Sequence, residues 1–467
     1  MSVKLALPAS DARGHVAAML AGVGIATTGY EPGSRTLRSV LPDDGLTLRA
    51  FREKDIPVQV AMGNYDLGIC SDLWLTEMQV RFPLQRIVRI GGLPGPAGEV
   101  WLAASASSGL ATEEVPSGIP GARIASELPN LADLVGTHLR LPGYRLLTVS
   151  GSAEAYPPDD ADFALLPAAG AAAVEAMGLC PLWRVFRGGL ALIANADALA
   201  SRPLGTVLAK LRGLLSGDEP DASLPHTHHT GGMRREQRSR DVVRMAVPDG
   251  HAQRHTPACL AAAGLSFAGY DEQGYVRRPA SGIAGLEVKV VRPQDMPALV
   301  AMGVFDIGIS GRDLLWEHLC RFPGSPVKMA VDLGRNRYRI GPVVDRAFPA
   351  ETTAEALPIW KGLGRRVRIA SEFPATAERF ARDLDLDFAT IIPVAGASEG
   401  FVPEDADLLV EGTETGTSIR ANGLKMLDPF MESTNCVIVR SESATTRTAL
   451  LDDLVSALRA SVAEAVP

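Results

Sequence analysis

The sequence predicts an α/β protein made of two tandem, two-lobed modules. Three observations lead there. An internal repeat keeps its spacing over most of the chain. Within each repeat, short apolar runs alternate with helical patterns. A polar stretch poor in apolar periodicity separates the two.

The repeat is plain in the text. Residues 52–69, REKDIPVQVAMGNYDLGI, align with 292–309, RPQDMPALVAMGVFDIGI, and ten of 18 positions are identical. The offset there is 240, and Pro8 and Pro248 share it. Further on, RIASELP (123–129) matches RIASEFP (368–374), and GSAEAYPPDDAD (151–162) matches GASEGFVPEDAD (396–407), both at an offset of 245. The blocks keep their order, so copy one is expected over 1–215 and copy two over 241–467. Residues 216–240, SGDEPDASLPHTHHTGGMRREQRSR, have the composition of a linker.

Copy two gives the clearer element pattern. Strands are expected at Val242–Val247, Leu286–Val291, Phe305–Ser310, Val367–Ser371, Ala389–Val394, Asp407–Val410 and Asn435–Val439. Helices are expected at Thr256–Gly264, stopped by its glycine, and at Pro293–Met302, with proline in the first turn. Thr445–Ala463 carries Leu450, Leu451, Leu454, Leu458 and Val462 at helical spacing and should close the module. Strand–helix alternation implies mostly parallel sheets with helices on both faces, and a ligand cleft at the carboxyl ends of the strands.

Composition narrows the function. Net charge of -8 argues against a general nucleic-acid binder. The five cysteines, Cys70, Cys180, Cys259, Cys320 and Cys436, form no CxxC pair and read as free thiols of a reducing compartment. No apolar run reaches the length of a membrane span, and the expectation is a soluble, cytoplasmic protein. His226, His228 and His229 lie in the linker without partner ligands at metal spacing, so a solvated linker is favoured over a metal site. His251 and His255 read as solvated residues near a helix start, and MRREQRSR as a solvated basic run.

One motif carries chemistry. Residues 405–424, DADLLVEGTETGTSIRANGL, run from a strand through a Gly/Thr-rich loop into a short helix. Gly412 and Gly416 permit a sharp turn and close approach of a ligand. Thr413, Thr415, Thr417 and Ser418 offer hydroxyls, and the backbone amides at the helix start favour an anion. Glu411 and Glu414 flank the loop, placed to accept sugar hydroxyls or to help hold Mg²⁺. An ordinary capped turn would use the same residues.

Here a resemblance enters. Glu414-Thr415-Gly416 and Ala421-Asn422-Gly423-Leu424 look like the phosphoribosyl-pyrophosphate loop of ATP phosphoribosyltransferases. The block Arg292, Asp295, Pro297, Gly303, Asp306, Gly308, Ile309, Gly311 and Asp313, with Glu317, resembles a second family block. Asp332-Leu333-Gly334 with Arg339 resembles a third. Copy one matches through Arg52, Asp55, Pro57, Asp66, Gly68 and Glu77. The resemblance implies two-lobed cores like periplasmic binding proteins of type II, each of the short catalytic type. It implies a reaction joining ATP to phosphoribosyl pyrophosphate with release of pyrophosphate, the first step of histidine biosynthesis, with Mg²⁺ as cofactor. It implies that residues 412–418 hold the 5-phosphate, that Glu399, Asp407 and Glu411 serve the ribose hydroxyls and metal, and that Arg292 and Arg339 face the nucleotide. A salt bridge from Arg292 to Asp295 or Asp306 is the plainer alternative. Family cores associate in pairs, so the fusion implies an intrachain pseudo-dimer, with a homo-oligomer or a separate regulatory subunit as further expectations.

Departures from the family pattern sit at three places, one of them the family's Ala-Thr-Lys-Tyr-Pro block, which reads Ala370-Ser371-Glu372-Phe373-Pro374 and so loses a lysine. The family's opening Pro-Lys-Gly-Arg is Pro248-Asp249-Gly250-His251 in copy two and Pro8-Ala9-Ser10-Asp11 in copy one. Copy one also replaces the loop: Ala169-Gly170 stands for Thr-Gly, Ala168, Ala171 and Ala172 take other loop positions, and Pro167 removes an amide donor. Copy one is therefore expected to be a structural or regulatory partner of a catalytic copy two. The rival expectation is a non-catalytic protein that senses a phosphorylated sugar or nucleotide.

Overall fold

A computed structural model describes residues 2–34, 36–41, 45–83, 85–111, 119–224, 242–386, 389–441 and 449–463. His226, His228, His229 and the basic run 233–240 lie outside the described residues.

Copy two forms two lobes, each with its own sheet. In lobe one, Leu286–Val291, Val243–Pro248 and Ile307–Gly311 run parallel, and Asn435–Arg440 and then Val327–Asp332 complete the sheet. In lobe two, Thr390–Pro393, Arg368–Ser371 and Leu408–Thr413 are parallel, followed by antiparallel Tyr338–Asp345. The sheets are thus mixed, which corrects the mostly parallel expectation. The return strands that cross between lobes enter antiparallel. An apolar run does not encode its direction, so patterning alone could not show this.

Most element bounds shift by only one or two residues from the sequence pattern. The expected helix Pro293–Met302 is shorter, Met296–Ala301, because its first residues form a turn. The closing helix is described over Ala449–Ala463. Residues 216–224, linker by composition, lie against copy one instead. Asp221–Ala222 adds a strand to Phe186–Arg187, and Ser216 N–H donates to the Gly92 carbonyl at 2.8 Å.

Copy one repeats these elements but fuses its lobes. Strands Ile87–Ser105 and Leu179–Asn195 run through both lobes and pair along almost their whole length, giving one ten-stranded sheet. Their copy-two counterparts are broken into Val327–Asp332 and Tyr338–Asp345, and into Leu424–Met426, Met431–Ser433 and Asn435–Arg440.

The copies pack head to tail. Lobe one of copy one meets lobe two of copy two, in a core where Phe51 packs edge-on to Tyr65 and Phe401 with ring centroids 5.1 and 4.8 Å away. Lobe two of copy one meets lobe one of copy two through Tyr156, Met296, Phe305 and Ile438. Each junction buries a carboxylate. Asp160 accepts hydrogen bonds from Arg244 Nη1 (2.6 Å) and Lys289 Nζ (3.0 Å). Asp405 accepts one from the Tyr65 hydroxyl (2.6 Å). Burial favours the protonated acid, yet Lys289 and Arg244 hold Asp160 well below the usual carboxylate range.

Candidate functional site

The strand Leu408–Thr413 delivers the Gly/Thr loop to the cleft between the lobes of copy two. Gly412 lies where a Cβ would come within 2.7 Å of the Tyr338 ring, so only glycine fits. Gly416 takes φ 70° and caps the short helix Thr417–Ala421. The Thr413 hydroxyl accepts from Gly416 N–H at 2.8 Å, and the Thr415 and Thr417 hydroxyls sit 2.8 Å apart. Arg420 reaches back to the Thr415 carbonyl at 2.8 Å and braces the turn. Glu414, Thr415, Thr417 and Ser418 are exposed on the loop.

Two of the three expected acidic residues come together, joined by Glu372, which the sequence marks only as a departure from a family lysine. Glu399 and Glu411 adjoin Glu372, whose charge acts on Glu411. Glu411 accepts from the Ser398 hydroxyl and from Gly412 N–H (2.9 Å). Loss of water and then the neighbouring Glu372 push its carboxyl up, so the pair favours sharing a proton. Asp407 stands apart at the strand's start. It is bound by Arg365 (2.6 and 2.7 Å) and by Arg368 N–H (2.8 Å), an arrangement that Asp162 and Arg123 repeat in copy one. That duplicated brace anchors the strand and leaves Asp407 away from the ligand loop.

The two arginines also part. Arg339 is exposed, while its neighbour Tyr338 lines the cleft. Arg292 lines the cleft and pairs with Asp249 at 3.5 Å, a partner other than the expected Asp295 or Asp306. Asp249, in place of the family's lysine, is 1% exposed and also meets Arg277 (3.5 Å) and the Tyr275 hydroxyl (3.2 Å). Asp295 instead accepts from Ser150 N–H and Oγ of copy one, both at 2.8 Å. Asp306 accepts from Arg244 N–H at 2.9 Å.

Copy one reaches into this neighbourhood. Arg52 lies against Gly396 and Glu372, and Lys54 adds positive charge near Glu372. Asp55 accepts from Ala395 N–H at 3.0 Å and fixes the approach. No sequence signal located these residues beside Glu372 and Gly396, because the head-to-tail packing that carries them there is tertiary.

The cleft has a volume of about 480 Å³. Among its walls are Asp249, Asp313, Glu372 and Glu414, with His251 and Arg292 as the basic members. His251 Nε2 spans the mouth to Glu414 at 3.6 Å. Asp313 is buried and accepts from the Ser433 hydroxyl at 2.6 Å. Among the described residues no three His, Cys, Asp or Glu side chains converge as a self-sufficient metal site.

In copy one the same strand, Phe163–Ala168, leads into the helix Ala171–Ala176 capped by Gly170. At the constant offset Leu166 stands for Glu411, and it is buried in the core. The fold of the loop survives there without its chemistry.

Fold and site define a duplicated two-lobed α/β protein with a hydroxyl-rich loop in one copy. The family model for ATP phosphoribosyltransferase matches residues 52–213 and 292–460, and the chain belongs to that family. It is 27% identical over 224 residues to an ATP phosphoribosyltransferase of Leptothrix cholodnii, covering 48% of this chain and 99% of the relative. It is 31% identical over 219 residues to that of Rubrobacter xylanophilus, covering 46% and 94%. A solved ATP phosphoribosyltransferase HisG:HisZ complex from Thermotoga maritima shares 23% identity at a TM-score of 0.38, covering 48% of this chain and all of that one. Among the described residues no helix is long and apolar enough to cross a membrane.

Proposed function

We propose that copy two joins ATP to phosphoribosyl pyrophosphate, with copy one as its fixed pseudo-subunit. The observation that carries this is the asymmetry of the loop. Thr413, Thr415 and Thr417 gather their hydroxyls in one turn beside Glu399 and Glu411, whereas copy one has Leu166, Pro167 and alanines there. In this reading residues 412–418 hold the 5-phosphate, and Glu399 and Glu411 accept the ribose hydroxyls. Arg52, from copy one, steadies the carboxylates and the departing pyrophosphate. Rate enhancement then comes from positioning and charge rather than from a single base. Mg²⁺ characteristically binds through substrate phosphates with one or two carboxylates, so it would enter on the pyrophosphate as part of the substrate.

The test is incubation with ATP, phosphoribosyl pyrophosphate and Mg²⁺, following phosphoribosyl-ATP. Product is expected, and the double change Thr415→Ala with Gly416→Pro should abolish it. One observation favours a second reading: the cleft's Arg292 is engaged by the buried Asp249. A sensor of phosphoribosyl compounds would bind phosphoribosyl pyrophosphate and form no product, and that outcome would overturn the enzymatic reading.

A further inference from the structure

Copy two carries a hollow larger than the cleft. It is an apolar groove of about 820 Å³ between the helices Arg312–Arg321 and Pro374–Asp383 and the segment 428–432. Trp316, Met329 and Phe430 line it at 43%, 41% and 43% exposure.

Copy one shows what such a groove accepts, because its counterpart is filled. There the chain's own segment 216–224 pairs with Phe186–Arg187 and sets Leu224 against the cluster to which the equivalent helices Asp72–Arg81 and Pro129–His138 contribute. Asp221–Ala222 pairs antiparallel with Phe186–Arg187, and Ser223 N–H donates to the Val185 carbonyl at 2.9 Å. Trp183 Nε1 donates to the Ser223 carbonyl at 3.1 Å, and Leu224 packs against the core cluster that includes Leu131, Val135 and Leu139. At the offset of 245 the receiving positions become Phe430, Met431 and Glu432, above Thr376, Phe380 and Leu384. Among the described residues Met431–Ser433 pairs only with Tyr338–Asp345, so its other edge carries no strand. The helix Ala449–Ala463 packs on lobe one instead.

We propose that this groove is a strand-addition site for an extended segment of another protein. The register sets the chemistry of that segment. In copy one Asp221 lies opposite Arg187 and pairs with Arg184 at 3.0 Å. Copy two has Glu432 and Pro429 at those positions, so the charge is reversed. The incoming strand therefore places lysine or arginine opposite Glu432 and, three residues on, a leucine-like side chain over Phe380.

The probe is a labelled nonapeptide with the sequence of residues 216–224 and lysine in place of Asp221, titrated against the full chain. Saturable binding is expected below about 1 mM, several-fold tighter than for the unaltered peptide. It should protect the amides of 431–433 from hydrogen exchange and disappear in Phe430→Glu. Met329→Ser, on the far wall, should weaken it without unfolding the chain. No saturable binding, or equal binding of the two peptides, would overturn the proposal. So would a concentration-dependent dimer that Phe430→Glu abolishes, since the groove would then receive a second copy of this chain.

Discussion

Asp160 and Asp405 occupy equivalent places at the two junctions, yet their removal should cost very different amounts. The Asp160 side chain is fully buried, and its partners Arg244 and Lys289 are 10% and 4% exposed. Asp160→Asn leaves two buried cations short of their counter-charge, and breaking such a pair costs about 3–5 kcal/mol. Asp159 stays 3.5 Å from Lys289 and 3.7 Å from Arg244 and offsets part of this, so the lower end, about 3 kcal/mol, is expected. Asp405 faces Lys4 at 3.6 Å, but Lys4 is 33% exposed and can turn to water. Asparagine keeps an acceptor for Tyr65, so Asp405→Asn should cost about 1 kcal/mol. Urea unfolding at pH 7, followed by far-UV circular dichroism and tryptophan fluorescence, compares the two. Equal midpoint shifts, or a larger one for Asp405→Asn, would refute the assignment of Asp160 as the dominant buried anchor.

Three further outcomes are expected. Thr415→Ala with Gly416→Pro should weaken phosphoribosyl pyrophosphate by at least tenfold, since each charge-assisted hydrogen bond is worth about 1.5–3 kcal/mol; calorimetry on the folded variant reads it, and unchanged affinity would remove the loop from the site. Arg52→Ala should lower turnover by about 10²-fold while leaving the melting temperature close to wild type, and a rate unaltered in steady-state assays would mean that copy one contributes only scaffolding. Burial pushes Asp55 and Asp295 up to about 6, so each favours its protonated form in the folded chain. Their stabilising contribution is full below the unfolded value near 4 and is lost as pH rises through 6. Asp160 acts oppositely, and its contribution fades only as pH falls below about 4. Asp55 and Asp295 should therefore make stability decline between about pH 4 and 6, and the double change Asp55→Asn with Asp295→Asn should make that part of the profile shallower; parallel profiles would contradict it.

How much was legible beforehand follows from what each feature depends on. The repeat, the strands and the Thr-rich loop are local, and their residues announce them. Asp407's partners were not legible because the motif spacing cannot show Arg365 and Arg368 closing on it from another strand's start. Arg292's partner was missed for a similar reason: Asp249 is 43 residues away and becomes a neighbour only when parallel strands align. Arg52 was not legible as a neighbour of copy two's carboxylates, since the pairing of opposite lobes lies outside any one copy, whereas Glu372 showed only as a lost lysine because its closeness to Glu411 depends on strand pairing. The same holds for 216–224, polar enough to read as linker, yet held by backbone pairing and one leucine.

The continuous strands of copy one have a mechanical consequence. Each lobe of copy two is fastened to a different end of a single ten-stranded sheet. Swinging those lobes apart would shear one of two junctions bolted by buried ions. Copy one thus works as a splint: it sets the gap between its neighbour's two lobes in advance, and the cost of bringing them together is met during folding.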